Sequence, residues 1–414
     1  MSEPSPDWKP IITRLWGLIQ SEPGWHDAFN YAVKQARSYN VPMEDITDTK
    51  SYCDYMNKLL SWVPTEQKDG RTIYHKICVS YFILDQPALQ GYQTEVHPAS
   101  SGHPLTKLSE WIVDYAKRIG EDWLDTPASI TPESIKHFYD APRYHMDDYI
   151  QPEGGWTSFN DFFARHLKKG KRPIDALDDL SVIVSPTDSV FDSVFQVDDG
   201  VIDVKGVPWG MKELLAGSKY ADSFKNGIFM HAFLNTNDYH RQHAPISGTV
   251  LEISNIQGAA YLEVVAKDEN NNTVPFNINR PSSFNTQNRL VMQRKVINPE
   301  PTKFLTPVEG GPSALDNTGY QFLQLRGMIV IDSPIGLCAV LPIGMAQVSS
   351  VVITCHPKQV LEKGDEISYF QFGGSDIVVV FEDGKVEYTA KPGTHYNMGE
   401  AIGKGKVPQI PIPY

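Results

Sequence analysis

Gly373-Gly374-Ser375-Asp376 stands between two β-type runs, Ile367 to Phe372 and Ile377 to Phe381. A serine after two glycines, in a turn between strands, can bring its hydroxyl onto the carbonyl that precedes it. Ser375 is therefore a candidate for cutting its own chain at Gly374-Ser375. Glycine at 374 leaves that carbonyl unobstructed and the backbone free to adopt an unusual turn. The competing reading is a Gly-Gly-Ser hairpin turn with no chemistry. A third is a serine hydrolase, but Ser375 lies outside a GxSxG motif, and its right flank reads as a strand rather than the helix of a nucleophile elbow.

A base and an orienting acid are available elsewhere. His240-Arg241-Gln242-His243 closes a probable strand and precedes Ala244-Pro245. Two imidazoles three apart could serve acid/base chemistry, pack as structural histidines, or supply half of a zinc site, for which no third ligand is suitably spaced. Ser185-Pro186-Thr187-Asp188-Ser189 ends a Val/Ile run in a turn. Asp188 there either bonds turn amides or orients and charges a histidine. With Ser375 and a histidine it would supply nucleophile, base and orienter in the order Asp, His, Ser. The basic run Arg165 to Arg172 faces a phosphate or a membrane, or is a solvated helix end.

The elements that must position these residues fall into two groups. From Trp8 to about Lys117 apolar residues recur at helical spacing, as in Ile11, Leu15, Leu18 and in Tyr52, Tyr55, Met56, Leu59, Leu60, with Asp48 as a cap. Beyond a Pro-, Gly- and Asp-rich stretch at Ala141 to Gly155, short Val- and Ile-rich runs predict strands at 182–184, 228–234, 249–253, 259–265, 328–331, 337–341 and 348–354. Helices are expected at 156–167 and 211–215. The reading is an α+β chain: a helical domain over residues 1–150 and a mainly β domain over 151–414. Residues 267–317, rich in Asn, Pro and Ser, are an active-site cover or an excursion.

The chain has 414 residues and a formal net charge of -13, which disfavours wholesale attraction to nucleic acid or anionic lipid and points to a small-molecule partner. Its four cysteines form no CxxC pair, the N-terminus lacks a secretory pattern, and no run approaches the ~20 apolar residues of a membrane span. A cytoplasmic location is expected. The sequon at Asn271 reads as a chance match.

Taken in order, the motifs resemble the phosphatidylserine decarboxylase family of pyruvoyl enzymes over roughly Trp156 to Val380. They are Ser158 to Phe163 with Arg165, Leu167, Gly170, Arg172 and Pro173; Ser185 to Asp188; Val204-Lys205-Gly206; Asp238 to Pro245; Ile343-Gly344; and Lys363 to Glu366. Two features depart from the usual membrane enzymes. Phe372-Gly373-Gly374-Ser375-Asp376 replaces a Leu-Gly-Ser-Thr type cleavage motif, and a helical domain stands in place of a membrane anchor. The segment Pro10 to Phe29 is similar to the soluble fungal tryptophan decarboxylase-like branch.

The resemblance implies that Ser375 Oγ attacks the Gly374 carbonyl, with His243 as base and Asp188 as its orienter. The resulting ester eliminates to leave residues 1–374 and a chain 375–414 that begins with a pyruvoyl group and stays bound to its partner. It further implies that this ketone forms a Schiff base with a substrate amine, without PLP or a metal, and that His240 returns a proton to the α-carbon. The expected substrate is a free L-amino acid, aromatic and tryptophan-like, with phosphatidylserine as the alternative; membrane contact is expected only in that second case. A non-catalytic module is the remaining reading, because Val360 to Glu366 also resembles the turn of lipoyl-like domains.

Overall fold

The computed structural model describes residues 3–204, 207–267, 273–274, 312–314, 320–346, 351–372 and 374–407. Position 271 and most of 267–317 lie outside the described residues. Of Gly374 and Ser375 only the backbone is described.

The first part is helical: α1 (Pro10–Ser21), α2 (Trp25–Ser38), α3 (Thr49–Leu59), α4 (Thr72–Leu84), α5 (Lys107–Lys117) and α6 (Pro132–Tyr139). Ile12, Leu15, Trp16 and Ile19 give α1 a single buried face. Asp48 caps α3 reciprocally with Ser51, as its position before the apolar run predicts. From Ile77 to Leu84, α4 is buried on every side, because it runs between the other helices and the strands Val264–Lys267 and Pro312–Ala314. At its end Asp85 accepts a hydrogen bond from Val264 N at 3.1 Å and another from the Tyr261 hydroxyl. One apolar core runs from Trp8 through the helices into the sheet as far as Ile402, so the two parts share an interior.

Eleven strands carry the site: β1 (Ser189–Gln196), β2 (Ile228–Leu234), β3 (Arg241–His243), β4 (Gly248–Ile256), β5 (Arg326–Ser333), β6 (Gly336–Met345), β7 (Val351–Ile353), β8 (Val360–Leu361), β9 (Glu366–Phe370), β10 (Gly374–Phe381) and β11 (Thr394–Tyr396). An antiparallel sheet runs β8-β4-β5-β6-β10-β2-β1-β11, and a smaller one runs β7-β9-β3. β10 alternates faces: Ile377, Val379 and Phe381 join the shared core, whereas Val378 and Val380 join a second core with Trp209, Phe229 and Leu341.

The expected strands appear at 182–184, 228–234, 249–253, 328–331 and 337–341. Within 259–265 only the end is strand, from Val264, and within 348–354 the described strand is Val351–Ile353. The helix expected at 156–167 is one short helix, α7 (Phe159–Phe163), with Ala164 as its C-cap and buried Arg165 beyond it. The serine turn is corrected more sharply. β9 and β10 are not a hairpin: β9 belongs to the small sheet and β10 to the large one. Ser375 is the second residue of β10, opposite Leu234 on one side and Gly344 on the other. The chain therefore passes from one sheet to the other between Phe370 and Gly374, and the flanking strands do not pair.

Candidate active site

His243 closes β3, where its backbone N–H donates to Pro186 O at 2.7 Å. Thr187 Oγ1 donates to Tyr239 O at 2.9 Å, and Val184 N to Pro245 O at 3.0 Å. These bonds lace Ser185-Pro186-Thr187-Asp188 to the histidine segment and bring together motifs some fifty residues apart in sequence. The His243 ring is fixed at both nitrogens. Nδ1 lies 2.7 Å from Gly364 O and must donate, because a carbonyl can only accept. Nε2 is then the basic nitrogen, and the Tyr239 hydroxyl lies 2.9 Å from it.

Gly364 can present that carbonyl because it sits at φ +93°, where a Cβ would come 2.7 Å from Ile174 Cδ1. Lys363 beside it is buried, with Nζ donating to the carbonyls of Ala176, Asp179 and Val182 at 2.6, 2.9 and 3.1 Å. A lysine committed in this way is not displayed for acylation as a carrier domain requires.

Asp188 is buried close by, but it does not hydrogen-bond His243. The Arg172 guanidinium takes both oxygens, with Nε at 2.9 and 3.1 Å and Nη2 at 2.6 Å, and Met398 N donates at 2.8 Å. The orienting partner of the His243 ring is thus a backbone carbonyl. Burial dominates and pulls the His243 pKa below the usual histidine range, against the bond to Gly364 O, the Glu366 charge and, least of all, the Asp188 charge, each of which favours protonation.

His240 is wholly buried. Its ring stacks on Phe163 with centroids 3.8 Å apart, and Phe163 also touches Phe372, three residues before Ser375. Neither ring nitrogen makes a hydrogen bond among the described residues, although backbone groups of Asp238 and Asn235 lie near enough to pull its pKa slightly upward. Burial, helped by the Arg165 charge, wins and holds the ring neutral, well below the usual range. A buried imidazole with no protein partner is costly unless something else engages it.

The approach to the cleavage position is built by both parts of the chain. Phe372 N donates to Asn160 Oδ1 at 3.2 Å, and Asn160 Nδ2 donates to Gly120 O at 2.7 Å. Phe159, Phe163 and Trp62 pack edge-on against the Phe372 ring.

The basic run divides. Arg165 is buried, with its guanidinium 4.1 Å from the Tyr149 ring centroid and donating to Asn237 O and Asp238 O, while Arg172 serves Asp188 and Asp148. His166, Lys168, Lys169 and Lys171 are exposed. Charge alone gives no hint of this division; the Phe-rich helix just ahead of Arg165 was the available signal. Tyr239, Arg172 and the Gly364 carbonyl were missed as site parts, though each lies inside a motif already singled out. Among the described residues no group of His, Cys, Asp and Glu is arranged to hold a metal, and no helix is long and apolar enough to cross a membrane.

The sequence profile of phosphatidylserine decarboxylase matches residues 159–404. The chain is 28% identical over 297 residues to phosphatidylserine decarboxylase proenzyme 3 of Schizosaccharomyces pombe, a match covering 69% of this chain and 26% of that one. It is 29% identical over 318 residues to the phosphatidylserine decarboxylase proenzyme of Fusobacterium nucleatum, covering 73% and 89%. To the L-tryptophan decarboxylase of Psilocybe cyanescens it is 27% identical over 267 residues, covering 62% and 54%. It thus spans about a quarter of the fission yeast relative and about half of the Psilocybe one. With the profile matching more than half of its length, the chain belongs to the phosphatidylserine decarboxylase family, whose members are pyruvoyl-dependent decarboxylases.

Proposed function

We propose that the chain is a self-processing decarboxylase that cuts itself between Gly374 and Ser375 and removes the carboxylate of an α-amino acid unit. The observation that carries the proposal is the placement of Gly374-Ser375 at the start of a strand paired on both sides, just after Phe372, which packs on the Phe163 ring that buried His240 stacks against. His243 Nε2 takes the proton of the Ser375 hydroxyl as the peptide becomes an ester. Loss of the α-proton then expels the Gly374 carboxylate, and addition of water releases ammonia and leaves a ketone at residue 375. Asp188, held on Arg172, stabilises the positive charge that His243 acquires. The pyruvoyl group so formed supplies the electron sink for loss of carbon dioxide. His240, stacked on Phe163, is the residue assigned to return a proton to the α-carbon, and it must first take that proton up, because its ring rests neutral.

For the substrate, the names of the relatives favour phosphatidylserine over the free aromatic amino acid that the N-terminal resemblance suggests. We take phosphatidylserine as the first reading. The free amino acid is the second, supported by the Psilocybe relative and by the Trp62, Phe159, Phe163 and Phe372 rings beside the cleavage position.

The test has two stages. Intact mass spectrometry of the denatured protein should give residues 1–374 and a second chain whose first residue has the mass of pyruvoyl. Carbon dioxide release is then measured with phosphatidylserine vesicles and with single L-amino acids. One full-length mass, unchanged in Ser375→Ala, would refute self-processing.

A further inference from the structure

Away from the two motif histidines lies a third buried histidine whose contacts reach the residue after Ser375. His231, in the middle of β2, is bracketed by two carboxylates: Nδ1 is 3.1 Å from Asp192 Oδ2 and Nε2 is 2.8 Å from Asp376 Oδ2. Relative exposures are 4% for His231, 9% for Asp192 and 0% for Asp376, so water contributes little to holding the three together. The Phe322 ring meets the imidazole edge-on at 6.0 Å.

The backbone is arranged to make this contact. Across the β1–β2 ladder Phe191 faces Ala232 and Ser193 faces His231, which leaves Asp192 as the extra residue of a bulge. Bulges re-aim a side chain, and this one turns Asp192 onto its neighbour. Ser193 Oγ then donates to Asp192 Oδ2 at 2.6 Å. On the other side Asp376 shares the face of β10 that carries Val378 and Val380, opposite to the face of Ile377. A buried carboxylate on that apolar face is costly unless it is paired and hydrogen-bonded. A hydrophobic residue at 376 would continue the pattern at less cost.

Building on the self-cleavage reading, we propose that His231 is a positioning residue for that reaction, tying Asp376 to Asp192 so that the downstream half of the scissile segment stays fixed. The Asp376 backbone nitrogen belongs to the amide that bears the acyl group of residue 375. When the Gly374-Ser375 bond is exchanged for an ester and then broken, residue 375 loses its upstream tether. The ladder to Leu234 and Gly344 and the Asp376–His231–Asp192 bridge still hold it. Because the bridge crosses from β10 through β2 to β1, it resists sliding of β10 along its neighbour, which backbone pairing alone resists less.

The test compares the full chain with His231→Phe and Asp192→Asn, made by cell-free synthesis and isolated as the folded fraction by gel filtration. The first-order appearance of the 1–374 and 375–414 chains is followed by intact mass. Asp192 is remote in sequence from the cut and is linked to Asp376 through His231. Both variants should slow cleavage about tenfold or more per folded molecule. Melting temperatures of the same substitutions in a Ser375→Ala background separate this effect from lost stability. A purely structural bridge would lower the melting temperature and leave the rate per folded molecule at the parental value, which would overturn the proposal. Should His231→Phe yield no folded protein, Asp192→Asn decides alone, by the same criterion. If the unsubstituted chain itself does not cleave, the self-cleavage reading fails, a result distinct from parental-rate cleavage in the variants.

Discussion

The Tyr239 hydroxyl sits 2.9 Å from Nε2 of His243, the one ring nitrogen left basic once Nδ1 has donated to Gly364 O. In this arrangement the phenol occupies the lone pair that a serine hydroxyl would need. Tyr239→Phe keeps the ring, which packs against Tyr149 and His243, and removes only the competitor. Cleavage should persist and accelerate severalfold, in line with the roughly 1 kcal/mol typical of a single hydrogen bond. Time-resolved intact mass checks this; a block of cleavage would instead make the hydroxyl a required proton carrier.

His243→Ala should leave the chain uncut, whereas His240→Ala should permit cleavage and abolish turnover. Gel mobility reports the first and carbon dioxide release the second. The reverse pattern would exchange the two assignments.

Arg172→Met strands Asp188, which is buried and has only Met398 N as its other described partner. Breaking such a pair from one side costs about 3–5 kcal/mol. Denaturant unfolding should show a loss of that size, and Arg172→Met with Asp188→Asn should recover much of it without recovering cleavage.

Acid should destabilise the fold through its neutral histidines. The pKa values of His240, His243 and His75 are depressed, chiefly by burial, so below the ordinary value of about 6.5 the unfolded chain takes up protons that the folded chain refuses. Stability present above that pH is lost as the pH falls, at up to about 1.4 kcal/mol per pH unit for each fully neutral ring. His395 has the opposite sign: burial would lower its pKa, but its bond to Asp238 prevails and raises it, so its contribution is complete below about 6.5 and lost as pH rises through the folded value. In a Ser375→Ala background, melting temperature should drop from pH 6.5 to 5, and His240→Phe should flatten that drop.

Lys363→Met should cost on the order of 3 kcal/mol, because buried carbonyls left without a donor cost about 1–3 kcal/mol each and the loop can re-satisfy some of them. It should also slow cleavage, since the adjacent Gly364 carbonyl orients His243. Thermal unfolding and the mass time course measure the two effects separately.

The parts of this site that could be read from sequence were those written locally. His240, His243 and Asp188 stand in short polar motifs at strand ends, and Asp48 announced its helix by type and position. What stayed hidden depends on pairings between distant strands. Gly373-Gly374 looks like a hairpin because sequence cannot say that β9 and β10 choose different partners. Arg165 and Arg172 look like surface charge because their aromatic and acidic neighbours arrive from elsewhere. His231 is one polar residue in the apolar run Ile228 to Leu234, and Asp192 another among Val and Phe; nothing in either run names the other.

The central position of β10 bears on how the protein could be made. A cut before Ser375 would assign the middle strand of the large sheet, and the edge strand β11, to a separate polypeptide. Assembly would then be a one-time event: the uncut precursor folds as a single molecule, whereas recovery after unfolding would require two chains to meet, with a yield that depends on their concentration. Durability of the mature form would rest on how slowly the sheet opens rather than on any equilibrium with its separated halves.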